Sequence, residues 1–155
     1  MLLPDEVKIK DIMTRDVKTI PPEITVAEAA RLLTEFHIDS LIVLSDDNPI
    51  GIITGGDIIK KVVGKSRDAT RVKVAEVMSK PLTTISPGEN VEKAASLMVK
   101  EGIKKLPVLQ DDRIVGILTT SDIAKHYPQV ANKVRSLLES SSRRLTFWDW
   151  YTRKG

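Results

Sequence analysis

Two turns in this chain hold a threonine hydroxyl and a carboxylate three residues apart: Thr54-Gly55-Gly56-Asp57 and Thr119-Thr120-Ser121-Asp122. Each follows an apolar run that opens on glycine, Gly51-Ile52-Ile53 or Gly116-Ile117-Leu118, and each leads into a helical pattern. Free amides at a helix start carry partial positive charge and suit phosphate. A threonine hydroxyl can bond the same anion. A carboxylate cannot bind phosphate, but it accepts two hydrogen bonds from a vicinal diol such as ribose. Dinucleotide folds divide the labour in this way, amides for phosphate and acid for ribose. The same residues equally fit a plain helix cap, because Ser, Thr and Asp satisfy orphan amides there. Duplication copies caps as readily as sites, so residue types alone leave both readings open.

Little else in the chain could do chemistry. The two histidines, His37 and His126, form no metal-ligand pattern with nearby carboxylates. There is no Walker sequence and no nucleophile elbow. Cysteine is absent, which excludes disulfides and thiolate metal sites and fits a reducing cytoplasm. The expectation is therefore no catalytic residue, no metal and no required cofactor. The net charge of +3 is mild. Its close basic clusters, Lys60-Lys61, Lys104-Lys105 and Arg143-Arg144, read as solvated faces or as contacts to an anionic ligand. An apolar fraction of 41% with 29% charged residues is that of a soluble globular protein. No apolar run approaches the roughly 18 to 20 residues that span a bilayer. The opening Met1–Glu6 lacks the basic-then-apolar pattern of a secretory signal. These features point to a cytoplasmic protein with no membrane partner.

The elements that must position the two turns are themselves duplicated. An offset of 65 residues aligns Met13 with Met78, Ile20 with Ile85, Gly51 with Gly116 and Asp57 with Asp122. Over Ile9–Ile58 against Val74–Ile123, 19 of 50 positions are identical without a gap. Each copy opens on one helical turn, at Ile9–Met13 or Val74–Met78. A brief strand follows, Val17–Ile20 or Leu82–Ile85, ended by a proline turn. Thr25 and Glu28 form a capping box for the next helix, and Asn90 caps its counterpart. Val26, Ala29, Ala30 and Leu33, like Val91, Ala94, Ala95 and Met98, recur at helical spacing. Gly102 ends the second of these helices. Two β-branched runs come next, Leu41–Leu44 and Ile50–Thr54, matched by Leu106–Leu109 and Ile114–Thr119. Asp46-Asp47 and Asp111-Asp112 lie in their hairpin links. A helix over Asp57–Val63 or Asp122–Tyr127 closes each copy.

In these features the chain resembles a tandem pair of CBS domains, named for cystathionine β-synthase. The resemblance rests on the Met13-Thr14 and Met78-Ser79 openings, the Thr-Ile strands before a proline, the Ala-Ala helices, Leu106-Pro107-Val108 and both Gly-x-x-Thr-x-x-Asp-Ile turns. It implies an α/β (α+β) fold of two β-α-β-β-α repeats packed sheet to sheet with pseudo-two-fold symmetry, followed by a C-terminal helix and tail. It also implies repeat one over 7–63, a linker over 64–71, repeat two over 72–127 and a tail over 128–155. Members bind adenine-containing ligands, such as AMP, ADP, ATP, S-adenosylmethionine or NAD, in two clefts. They regulate rather than catalyse, and they often form homodimers.

Transferred by position, the resemblance gives Asp57 and Asp122 the ribose hydroxyls. Thr54, Thr119 and Ser121 lie near ribose or phosphate, and the glycine Gly56 stands where Ser121 stands in the other turn. Thr14, Lys18, Ser79 and Thr83 line the clefts from the opening segments and first strands. Ile38-Asp39 and Ile103-Lys104 match the segment that contacts adenine, and Ile52 and Ile117 pack on the base. Each cleft would combine the aspartate turn of one repeat with first-strand residues of the other. The clefts would differ. Gly55-Gly56 leaves amides open to close approach, whereas Thr120-Ser121 adds hydroxyls. The cleft around Asp122 would gain Lys18 and Asp39, the latter favouring a donor such as the adenine amino group, and in the other cleft Lys104-Lys105 would suit phosphate.

The tail is not part of the repeat. Val130, Val134, Leu137 and Leu138 have helical spacing over Gln129–Glu139, and Arg143–Tyr151 gathers four of the six aromatic residues. That segment could fold back on its own protomer, cross to a partner subunit, or stack on nucleic acid. The expected function is regulatory sensing of an adenine nucleotide, passed on through a regulated protein or an oligomer. The rivals are a nucleic-acid-binding protein and a purely structural oligomerisation protein.

Overall fold

A computed structural model describes residues 7–132, 134 and 135. The aromatic and basic tail, Arg143–Tyr151, lies outside the described residues. In chain order the elements are α1 (Ile9–Ile12), β1 (Thr19–Ile20), α2 (Val26–Glu35), β2 (Ser40–Ser45), β3 (Asn48–Thr54) and α3 (Gly55–Lys61). Then follow a 3-10 turn (Val63–Lys65), α4 (Val74–Val77), α5 (Val91–Glu101), β4 (Lys105–Gln110), β5 (Arg113–Thr119) and α6 (Thr120–His126). Residues 128–132, 134 and 135 are helical, where the tail pattern predicts a helix. The mixed α/β class is as expected, with one sheet ordered β1-β2-β3 and a second of β4 and β5.

The local signals account for these elements. Thr25 Oγ1 accepts from the Glu28 amide at 3.2 Å, and Glu28 accepts from the Thr25 amide at 2.7 Å, closing the capping box. The Thr25 amide and the Thr25 hydroxyl, at 2.7 and 2.9 Å, both donate to Glu28 Oε2 and hold its carboxyl below the usual carboxylate range. Asn90 accepts from the Lys93 amide at 2.8 Å. Asp46-Asp47 and Asp111-Asp112 all have positive φ, the backbone of a tight hairpin turn that follows the twist of its strands.

Two expectations are corrected. The closing helices begin two residues early, at Gly55 and Thr120, so Thr54 and Thr119 are the caps and the aspartates stand in the first turn. The first strand of repeat two, expected over Leu82–Ile85, is a single parallel bridge between Ile85 and Val108. In repeat one β1 pairs with β2, helped by the Ile42 amide donating to Lys18 O at 3.1 Å. The counterpart of Ile42 is Pro107, which has no N–H to give. That missing donor shortens the ladder.

The chain forms two compact units, and each takes its opening helical turn from the other repeat. The unit with residues 14–87 and 107–117 contains the first sheet, α2, α3 and α4. Its core joins Ile20, Val26, Leu33, Leu41, Val43, Ile53 and Ile58 to Val74, Val77 and Met78 of repeat two. The Val26 amide donates to Val72 O and the Val74 amide to Ile24 O, both at 2.9 Å. The second unit, which includes residues 7–13 and 88–106, repeats these bonds at the offset positions. There the Val91 amide donates to Val7 O at 3.1 Å and the Ile9 amide to Glu89 O at 2.9 Å. Its buried residues include Ile9, Val91, Met98, Leu106, Leu118 and Ile123.

One difference between the repeats concerns the end of the long helix. Gly102 has φ 65° with open space around it, while its counterpart His37 takes φ 53° with a side chain. A left-handed backbone costs an L-residue roughly 1–2 kcal/mol. Gly102→Ala is therefore expected to lower the unfolding free energy by about 1 kcal/mol. His37→Gly is expected to raise it by less, because glycine also loosens the unfolded chain. Urea titrations of the two variants against the parent check both signs.

Candidate ligand-binding site

The best-defined polar constellation lies where β3 meets the opening of repeat two. Ile52 and Ser79 exchange backbone bonds, Ile52 N to Ser79 O at 3.1 Å and Ser79 N to Ile52 O at 2.8 Å. Gly51 permits this approach. A Cβ there would stand 2.6 Å from Met78 Sδ and 3.1 Å from Ser79 O. The pairing brings the Ser79 hydroxyl to 3.1 Å from Asp57 Oδ1. Thr14 and Ile117 exchange the equivalent two bonds, both at 2.9 Å.

Asp57 uses its two oxygens differently. Oδ2 accepts from the Thr54 amide at 3.0 Å and from Thr54 Oγ1 at 3.1 Å, while Thr54 Oγ1 accepts from the Asp57 amide at 3.1 Å. That is a helix cap. Oδ1 faces away from the cap and meets Ser79 Oγ and, at 2.8 Å, Lys61 Nζ. Lys61 also donates to Val77 O at 2.8 Å and lies 3.4 Å from Ser79 Oγ. The Asp57 side chain is only 12% exposed. Burial pushes its pKa up. The Lys61 bond, the Thr54 amide and the Thr54 hydroxyl outweigh that and leave it below the ordinary value.

The second turn has the same cap and a different surround. Thr119 Oγ1 accepts from the Asp122 amide at 3.1 Å, and Asp122 Oδ2 accepts from the Thr119 amide at 2.8 Å. Among the described residues Oδ1 of Asp122 makes no hydrogen bond. The position of Lys61 is taken by His126, exposed at the end of α6.

The segments that the resemblance assigns to adenine are each tied through the backbone to the turn of their own repeat. Asp39 O accepts from the Gly55 amide at 3.2 Å, and Lys104 O accepts from the Thr120 amide at 3.0 Å. Ile103 is half-buried, with its amide on Met98 O at 3.0 Å. Ile38, Asp39 and Gly55 line an open groove of about 370 Å³ together with Leu33, Ile58 and Ile59. Lys18 pairs with Asp16 at 2.9 Å and lies 4.9 Å over the Phe36 ring. Thr83 is half-buried, and Gly56 and Ser121 are exposed.

One unit thus gathers Ile52, Thr54, Asp57 and Ser79, and the other holds Ile103, Lys104, Thr119, Ser121 and Asp122. Sequence reasoning named Lys61 only within a basic cluster and gave it no place at the Asp57 turn. Its signal was there, since a lysine four residues after an aspartate faces it on a helix. Among the described residues no cluster of His, Cys, Asp or Glu could hold a metal ion, and no helix is long and apolar enough to cross a membrane.

Comparison with known proteins follows this geometry. The family model described as CBS domain matches residues 9–64 and 74–129. A homoserine O-acetyltransferase of Methanohalobium evestigatum is 38% identical over 119 residues, which is 76% of this chain and 23% of the enzyme. The hexameric CBS-CP12 protein from bloom-forming cyanobacteria superposes with TM-score 0.74 at 31% identity, over 92% of this chain and 86% of that one. The CBS domain pair of protein MJ0100, in complex with 5′-methylthioadenosine and S-adenosyl-L-methionine, gives 0.70 at 29% identity, over 79% and 97%.

The Asp57 network has a pH signature. A carboxyl with a depressed folded pKa stabilises the fold fully above its unfolded value, about pH 4 for aspartate, and loses that contribution as pH falls through the folded value. Asp57→Asn is expected to cost about 1 kcal/mol at pH 7, the half-exposed Lys61 being screened by solvent. Its melting temperature is expected to converge on the parent's as pH falls from about 5 to well below about 4, the unfolded value. Thermal melts across that range test the sign.

Proposed function

The chain belongs to the CBS-domain family, and from that membership we propose that it is a regulatory module whose Asp57 and Asp122 turns receive an adenosine-bearing ligand. The observation that carries this reading is the split use of Asp57. One carboxylate oxygen is fixed in the helix cap, and the other is presented beside a hydroxyl from the opposite repeat. A carboxylate held in this way can accept a ribose diol without spending its orientation on binding. At Asp122 the cap is the same and the second oxygen is open among the described residues. The solved pair in complex with two adenosine compounds supports the ligand class.

No step of covalent chemistry belongs to this reading. The ligand is AMP, ADP, ATP, S-adenosylmethionine or NAD in type, and its presence is passed to a regulated protein or through assembly. Titration of AMP and S-adenosylmethionine by calorimetry is expected to give micromolar binding, about −8 kcal/mol. Asp57→Ala and Asp122→Ala are each expected to weaken one site about tenfold or more, the loss of a charged hydrogen-bond acceptor. Affinity unchanged in both variants contradicts the assignment.

The assembly we propose is a homo-oligomer, at least a dimer, formed through the α2–α3 face. Ile59, which lines the apolar groove with Leu33, Ile38 and Ile58, is 65% exposed, and Val63, in the 3-10 turn after α3, is 64% exposed. A second copy that presents the same face would bury both. The hexameric CBS-CP12 neighbour supports self-association. An Ile59→Glu, Val63→Glu double variant is expected to lower the mass by light scattering while keeping its circular dichroism. An unchanged mass contradicts this face.

A further inference from the structure

Lys61 has no part in the proposed ribose binding, yet its ammonium sits beside the carboxylate oxygen that lies outside the cap. Its ammonium holds Asp57 Oδ1 at 2.8 Å and Val77 O at 2.8 Å, with Ser79 Oγ at 3.4 Å. Two of these three partners are acceptors on the opening of repeat two, and the third is the carboxylate assigned to the ribose. The position is specific to this turn, because its counterpart in repeat two is His126. An adenosine diol reaching Asp57 must share or take the oxygen that Lys61 holds.

We propose that Lys61 sets the charge selectivity of the Asp57 site, which makes it a site for anionic, phosphate-bearing adenosine ligands and not for neutral or cationic ones. The inference rests on the adenosine reading above and deepens it. A neutral ligand that takes Asp57 Oδ1 displaces Lys61 and leaves the ammonium with a carbonyl and a hydroxyl. A phosphorylated ligand supplies a new anion to the displaced ammonium, so the charge lost at Asp57 is restored on the ligand. A sulfonium ligand adds a second cation and is disfavoured further. At the Asp122 turn the corresponding position is His126, so this control of ligand charge belongs to the Asp57 turn.

Calorimetric titration of AMP and of neutral 5′-methylthioadenosine into full-length Asp122→Ala protein isolates the Asp57 site. AMP is expected to bind about tenfold more tightly than the neutral compound, the worth of one charged hydrogen bond. Adding Lys61→Met is expected to abolish that ratio by weakening AMP and strengthening 5′-methylthioadenosine. Lys61→Arg is expected to keep it. The ratio within one variant is insensitive to any loss of folded protein. A ratio that survives Lys61→Met overturns the proposal. So does a chain that binds adenosine ligands only through Asp122, although the regulatory reading then stands. If the parent protein binds neither compound, the adenosine reading fails, and this inference fails with it.

Discussion

The structure depends on an exchange of backbone hydrogen bonds between the repeats. Each repeat lends its opening helical turn to the long helix of the other, through Val26 to Val72 and Val74 to Ile24, and through Val91 to Val7 and Ile9 to Glu89. The bonds are short, buried beside apolar side chains and repeated at the offset of the duplication. An unpaired buried amide costs more than the bond contributes when made, so the openings are held wherever the helices are. Neither repeat completes its core alone. Val74, Val77 and Met78 fill the space under Val26, Leu41 and Ile53. A unit of about 55 residues would be marginal by itself, and the exchange supplies the missing apolar surface.

The same exchange builds the site. Because Ser79 is paired to Ile52, its hydroxyl arrives beside Asp57 without further adjustment. Gly51 makes the approach possible, since any side chain there would collide with Met78. The helix cap then fixes the carboxylate. Thr54 holds one oxygen and the amide of Asp57 at once, so the cap orients the carboxylate and leaves its second oxygen outside it. The short helix α3 carries Lys61 round to the other oxygen, one turn later.

Much of this was legible in the sequence, because local rules govern the elements. The capping box at Thr25, the Asn90 cap, the Gly102 terminus and the Asp-Asp hairpins follow from residue types over a few positions. The family resemblance and the duplication of the turns were legible for the same reason. What sequence could not give was set by partners distant along the chain. The first strand of repeat two shrinks because Pro107, on another strand, has no amide to offer. The closing helices start at Gly55 and Thr120 because the threonine accepts the aspartate amide, which a carboxylate-first reading places the wrong way round. Lys61 was passed over because its role needs Val77 and Ser79, 16 and 18 residues further on.

The central claim is that a duplicated helix cap, joined at Asp57 by a hydroxyl of the other repeat, presents a carboxylate to the ribose of an adenosine ligand. A crystal structure of the full chain grown with AMP tests it most directly. The account predicts the ribose diol within hydrogen-bonding distance, about 2.5–3.0 Å, of the Asp57 or the Asp122 carboxylate, with the Thr-x-x-Asp cap intact. Nucleotide density placed elsewhere on the protein, with both carboxylates untouched, would contradict it.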